Sequence, residues 1–412
     1  MRPPRHVRAF TLVELMIALT GGLIFSIFVF MLTRDVTRFF QQETGLSDAT
    51  TSMLAGYQRL RADVQRAGFL ASPNLIKDIK RCPARTPPDT VPTLASISTA
   101  GWDTNPLMQT LALARVTTGA ATTWLTANGL APDQLTLYGN YTTADQYPAR
   151  SLSGASIFLD PNSEELARAG YPSADPAALL GRIFPQGSIV RVVSANTGEE
   201  QYALVGTTGA ATAATPVINL AANPALIQKG PGNSCGIRGL GADILVNPVN
   251  IIQYRLGNLS GNAAFAALYP TGGDDAAWPR LDLLREELTP AGVVISTELV
   301  AEFAVDFRVS AQVVSNQSPY TLTQYAEGDA ALAAYVGPST AGVALALDKG
   351  PHMIRALRPR LALRTRSPDR QANVASGAGL YRVPLTAGAD FARVRTLQAF
   401  VMTRNARNEL WR

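Results

Sequence analysis

Histidine and cysteine are nearly missing from this chain: 412 residues carry two of each. With only His6 and His352, imidazole-based metal or triad chemistry has little to work with, and no G-x-S-x-G, H-E-x-x-H or P-loop Gly-Lys-Ser/Thr occurs. Cys82 and Cys235 stand 153 positions apart in no CxxC or CxxH pair, which argues against a metal cluster. Charge is also thin. Ionisable side chains make up 16% against 47% hydrophobic residues, a balance that excludes an unfolded polar chain. The net charge of +5 is too mild to imply a nucleic-acid partner without a clustered basic face. The expectation is a chain that is no enzyme and needs no cofactor or metal.

Two acidic stretches bear on that expectation. "DPNSEELARAG", Asp160 to Gly170, has oxygen ligands at alternate positions but lacks the glycine and closing glutamate of an EF-hand, so Asp160 or Ser163 capping a short helix is the favoured reading. "GGDDAAW", around Asp274 and Asp275, is favoured as a polar turn over a cation site. His352, after Gly350-Pro351, is expected at a strand entry.

What the sequence does have is one long apolar run. From Phe10 to Thr33, 24 residues carry a single ionisable side chain, Glu14. As a helix this run covers roughly 36 Å, enough to cross a bilayer core of about 30 Å. Arg2, Arg5 and Arg8 precede it, which by the positive-inside bias places the N-terminus in the cytoplasm and the body across the membrane. A carboxylate at mid-span costs on the order of 2.5–3.5 kcal/mol on insertion scales, so Glu14 calls for a compensating partner. The segment ends in "MLTRDVTRFF" with no small-x-small cleavage site, unlike an ordinary secretory signal. Gly21-Gly22 serves either as a place for close helix approach or as ordinary tolerance of glycine in a membrane helix.

"AFTLVELMIALTGGLIF" resembles the class III signal of type IV prepilins: a short basic leader, then Phe-Thr-Leu-x-Glu-Leu opening an apolar helix. The resemblance implies that a prepilin peptidase removes residues 1–9 by cutting between Ala9 and Phe10 and methylates the new amine of Phe10. Ala9 stands where most members carry glycine. It further implies that Glu14 pairs with the amine of a neighbouring subunit during filament assembly. The physics is consistent: a carboxylate and an amine offset each other where neither is tolerated alone.

Beyond the span, Leu46, Thr50, Met53, Tyr57, Leu60, Val64 and Ala67 form one mostly apolar stripe, with Arg59, Arg61, Asp63 and Arg66 expected away from its centre. Gly68 and Pro73 supply the stop, predicting one helix from Phe10 to about Ala67. "LRADVQRAGFLASPN" resembles the end of the long helix in PilW-type minor pilins, as do "MIRALRPRLALRTRS" and "VRTLQAFVMTRNARN", the latter closing with Arg404-Asn405.

Residues 71–412 carry strand signals joined by loops. "LVAEFAVDFRVS", Leu299 to Ser310, alternates as one half-buried strand with Glu302, Asp306, Arg308 and Ser310 on its polar face. "DQLTLYGN", "GSIVRVVS", "EQYALVG" and "VNIIQYRLG" follow suit, "RLDLLREEL" with "GVVIST" predicts a hairpin, and "TTGAATAATP" a loop. Arg358, Arg360, Arg364 and Arg366 are expected on a solvated sheet face rather than an anion-binding stripe, since no aromatics interleave with them.

The expected fold is therefore α+β and pilin-like: residues 1–9 a leader, 10–33 the membrane-spanning half of a long helix, 34–70 its amphipathic half, and 71–412 a β-rich extracytoplasmic head. In that head Cys82 and Cys235 either form a long-loop disulfide or remain separate thiols. The resemblance implies a minor pilin that primes the filament or sits at its tip. Its partners would be the prepilin peptidase, other minor and major pilins, and a tip adhesin. It would lie in the inner membrane with its head in the periplasm, and afterwards in the pilus at the cell surface. Two alternatives stand beside it: a minor pseudopilin of type II secretion, and a membrane-tethered binding protein or hydrolase that uses a pilin-like anchor.

Overall fold

The computed structural model describes residues 11–75, 78, 80, 111–119, 122, 125–126, 128–212, 215–222, 226, 243–269, 280–314, 320–336, 349–366, 380–385 and 388–406. The long helix α1 runs from Leu12 to Arg66, 55 residues and roughly 82 Å, without a break. It starts two residues later than expected. Thr11 is extended and acts as the N-cap, because its hydroxyl accepts from the Glu14 N–H. At the other end Gly68 takes φ +74°, a conformation that costs glycine little, and its N–H donates to the Tyr138 carbonyl at 2.7 Å. The chain then turns into the head.

Ten strands form the first sheet: β1 (Ala114–Thr118), β2 (Asp133–Gly139), β3 (Tyr147–Ser153), β4 (Ser156–Leu159), β5 (Ile189–Ser194), β6 (Glu200–Thr212), β7 (Thr215–Leu220), β8 (Ile244–Gly257), β9 (Asp282–Leu288) and β10 (Val294–Ala301). The 14-residue β8 is shared between two structures. Its first half pairs with β3 on one side and β5 on the other, and the path β3-β4-β7-β6-β5 returns to it, closing a six-stranded antiparallel barrel. Its second half pairs with β2 and β9, giving an open layer in the order β1-β2-β8-β9-β10. The barrel interior is filled by Tyr147, Ile157, Val190, Ala203, Ile218 and Val246. Leu179, Leu180 and Ile183 of a short helix at Pro176–Ile183 join that core. The β6–β7 ladder continues out to Thr212 and Thr215, so "TTGAATAATP" is mostly strand, small residues notwithstanding.

The second sheet has six strands: β11 (Ala304–Val314), β12 (Leu322–Tyr325), β13 (Ile354–Arg364), β14 (Leu380–Leu385), β15 (Gly388–Gln398) and β16 (Val401–Met402). The expected strand from Leu299 to Ser310 is two strands. β10 ends at Ala301, the chain turns at Glu302 and Phe303, and β11 opens in the other sheet. Phe303 adopts φ +55°, costly for a side-chain-bearing residue. Its N–H donates to Asp282 Oδ1 at 2.9 Å, and its ring lies between the guanidiniums of Arg280 and Arg364 at 4.6 and 5.1 Å. Such cation–π contacts hold the turn.

The polar faces of β11 and β13 also differ from expectation. Asp306, Ser310 and Arg364 are buried, Arg358 and Arg360 are half-buried and Arg366 is exposed, and Arg360 pairs with Asp306 and Glu327 at 2.7 and 3.0 Å, so this face is partly covered rather than fully solvated. Burial pushes the Asp306 carboxyl up, against the pull of Arg360 and Arg308.

The open layer, the second sheet and the C-terminal half of α1 meet in one core. Met53, Tyr57, Leu60 and Val64 from the helix pack with Leu135, Ile252 and Leu283 from the first sheet and Phe307, Leu357 and Leu361 from the second. The molecule is thus a mixed α+β fold: a long apolar N-terminal helix seated by its second half in a large β-rich head.

Candidate functional site

The helix itself is the candidate site, because its two halves meet different surroundings. Every side chain from Leu12 to Phe30 is exposed, with Leu12 at 74% and Phe30 at 72%. This stretch has a mean hydropathy of 2.5 over its most apolar window and no burial inside the protein, and α1 alone among the described helices is long and apolar enough to cross a membrane. Water would not tolerate this surface, whereas a hydrocarbon layer satisfies it.

Glu14 sits at the third position of this helix and completes a capping box. Its Oε2 accepts from both the backbone N–H and the hydroxyl of Thr11 at 3.0 Å, and the Glu14 N–H donates to Thr11 Oγ1 at 3.3 Å. The carboxylate also lies at the positive end of the helix dipole. Two sources therefore compensate the charge within the helix itself, and the capping role is one the spacing Thr-x-x-Glu carried in plain view. Around Gly21 and Gly22 an added Cβ would meet nothing within 4 Å, leaving their faces open to another helix. Ala9 and Phe10 lie outside the described residues, as do Cys82, Cys235, Asp274 and Asp275.

The second half is fastened along its length. Near its start Arg393 donates to Gln42 Oε1 at 3.3 Å. At Gly56 the helix comes so close to β10 that a Cβ would lie 2.9 Å from both Ala301 Cβ and the Val300 carbonyl, which requires glycine. The next residue, Tyr57, has a hydroxyl that donates to the Ala399 carbonyl and accepts the Ala399 N–H, both at 2.8 Å. Burial raises the Tyr57 phenol, so it keeps the proton that the first of these bonds uses.

Asp63 is the residue that stripe reasoning misplaced. It is buried rather than turned outward, at 2% exposure. Arg285 of β9 donates to its Oδ2 at 2.6 Å and the Tyr254 hydroxyl of β8 at 2.8 Å. Tyr141 donates to its main-chain carbonyl at 3.1 Å. Burial, reinforced by the Asp63 charge, holds the Tyr254 phenol well above its ordinary value, so it acts as a donor. The exposed pair of Arg59 with Glu298, at 3.0 and 3.1 Å, covers this cluster and adds little by itself.

At the helix end, Asn405 Nδ2 donates to the Gln65 and Ala67 carbonyls at 3.3 and 3.1 Å. These are among the carbonyls that a helix terminus leaves without a partner. Asn405 thus ties the turn after the last strand to the end of the first helix.

The secondary candidates resolve as structural. Ser163 caps the helix Glu164–Arg168 by accepting from the Leu166 N–H, while Asp160 accepts from the Asn162 N–H at 3.0 Å. His352 is buried in the turn that enters β13, with Nδ1 3.1 Å from Asn74 Nδ2. Among the described residues no group of three or more His, Cys, Asp or Glu is arranged to hold a metal ion. Comparison with protein-family models, curated proteins and solved structures finds no match for this chain.

Proposed function

We propose that this chain is a minor pilin of the PilW type, a membrane-inserted prepilin subunit whose long helix joins a filament core and whose head is displayed outside the cytoplasm. The observation that carries the reading is the division of α1: an exposed apolar half that continues without a break into a half fastened to the head. In this reading the prepilin peptidase cuts between Ala9 and Phe10 and methylates Phe10. The inner membrane holds residues 10–33 before assembly, with the head in the periplasm. Glu14 then exchanges its contact with Thr11 for the amine of a neighbouring subunit, which sets the register of docking. The exchange is favourable in hydrocarbon because it neutralises two charges rather than shielding one.

Head size sets the copy number. Packing many heads of this size around a thin fibre crowds them, so the subunit belongs in a few copies at the tip or base. There it primes assembly, and the head contacts other minor pilins or an adhesin. No step in this role needs bond chemistry from the chain. The test is Glu14→Ala in cells that assemble the filament: incorporation of the subunit and filament number fall sharply while the head stays folded. Unchanged incorporation defeats the docking role.

A further inference from the structure

The apolar surface of α1 does not stop where a minimal span would. Residues 12–31, at about 1.5 Å each, fill a hydrocarbon core of about 30 Å. Beyond them Val36, Phe39 and Phe40 remain 44%, 59% and 63% exposed, spaced three and four apart and therefore on one side of the helix. Phe39 and Phe40 meet edge to face, 6.3 Å between ring centroids. Arg34 and Arg38 stand one turn apart on another side, and among the described residues neither enters an ion pair. Residues 34–40 thus begin roughly 5 Å beyond the core, inside a headgroup layer about 5–8 Å deep, and end roughly 13 Å beyond it, with the side chains of the last turn tilting back toward the layer as helical side chains do. Phenylalanine rings on the apolar side of an interfacial helix bury at the headgroup–acyl boundary, and arginines near the end of a span extend to lipid phosphates while their stems stay in apolar surroundings.

We infer that Arg34, Val36, Arg38, Phe39 and Phe40 form an interfacial collar that seats in the phospholipid headgroup layer on the head's side of the membrane. The inference rests on the membrane-anchored reading above. Three observations favour lipid over a second protein helix as the occupant. The patch is continuous with the exposed apolar span, its depth follows from the helix rise, and its two arginines against the single carboxylate of Asp35 leave it net positive toward phosphate. The collar also fixes the height of the head: Gln42, which receives Arg393, lies only two residues past Phe40, so the head's underside rests within about two helical turns of the bilayer surface.

The test reconstitutes the full chain in vesicles of phosphatidylcholine and phosphatidylglycerol. Phe39→Trp is compared with the parent chain to remove the signal of the native tryptophans, and Ile24→Trp serves as a mid-span reference. The collar predicts that the extra Phe39→Trp emission is lost to lipids brominated near the headgroup and kept with lipids brominated deep in the acyl chain, with Ile24→Trp showing the reverse. Adding Arg34→Gln and Arg38→Gln to Phe39→Trp is expected to raise its quenching by aqueous iodide. If Ile24→Trp is quenched deep while Phe39→Trp is quenched only by iodide, the collar is overturned and the anchor stands. If Ile24→Trp is also quenched only by iodide, the membrane reading fails with it.

Discussion

Leu23, Phe28 and Phe30 in the first half of α1 keep 64%, 68% and 72% of their surface, whereas Leu60 and Val64 in the second half keep none. Both groups are large apolar side chains on the same continuous helix, so residue type alone does not decide their surroundings. Pattern does. The first half is apolar all round, as a helix needs to be if hydrocarbon meets every face. The second half has one stripe, interrupted by Gly56 and Asp63, and that stripe fits a protein groove in which a close backbone approach and a buried carboxylate both have partners. The comparison teaches that a helix of this kind is built for two surroundings in succession, with the change falling between Phe40 and Leu46.

The largest disturbance of the seated half is expected from Asp63→Ala. It leaves Arg285 and the Tyr254 hydroxyl buried without their acceptor, and losing one partner of a buried pair typically costs about 3–5 kcal/mol. Urea unfolding of the full chain in detergent checks this; a loss well under 1 kcal/mol would mean the cluster is decorative. Leu60→Ala creates a cavity in the shared core and is expected to cost about 2–5 kcal/mol in the same assay. Leu23→Ala sharpens the contrast, since a residue that the head never touches should leave the unfolding midpoint unmoved.

A smaller effect is expected from pH. Burial raises the Glu200 carboxyl to about 7 despite Arg191 beside it, so the folded head binds a proton that the unfolded chain releases from about 4.5 upward. The stability from this group is fully present below that lower value and is lost as pH rises through about 7. Thermal unfolding should show that decline, and Glu200→Gln, which cannot ionise, should flatten it. The smallest cost expected within the seated half is at the helix end: Asn405→Ala removes the donor to Gln65 and Ala67 and is expected to cost roughly 1 kcal/mol, the scale of one hydrogen bond.

Much of the helix was legible in the sequence, and the reasons are local. Hydrophobic run, stripe, Gly68 and the Thr11-x-x-Glu14 spacing each act within a few residues of themselves. The break at Glu302 and Phe303 was not legible, because alternation reports which face a residue occupies and says nothing of which sheet the strand belongs to. The arginines that hold the turn come from positions 280 and 364, far away in sequence. Asp63 failed for the same reason. A charge at the margin of an apolar stripe looks solvated until a partner 222 positions later, Arg285, is brought to it. The barrel closure is a still less local property, since it depends on β8 pairing with β3 and β5 at once.

The central claim, that this chain is a prepilin whose helix becomes a filament element, meets its most direct test at the mature N-terminus. Mass spectrometry of the protein recovered from membranes is predicted to find a chain that begins at Phe10 with a methylated amine. A chain that still carries Met1 to Ala9, or that begins at any other residue, would contradict the account.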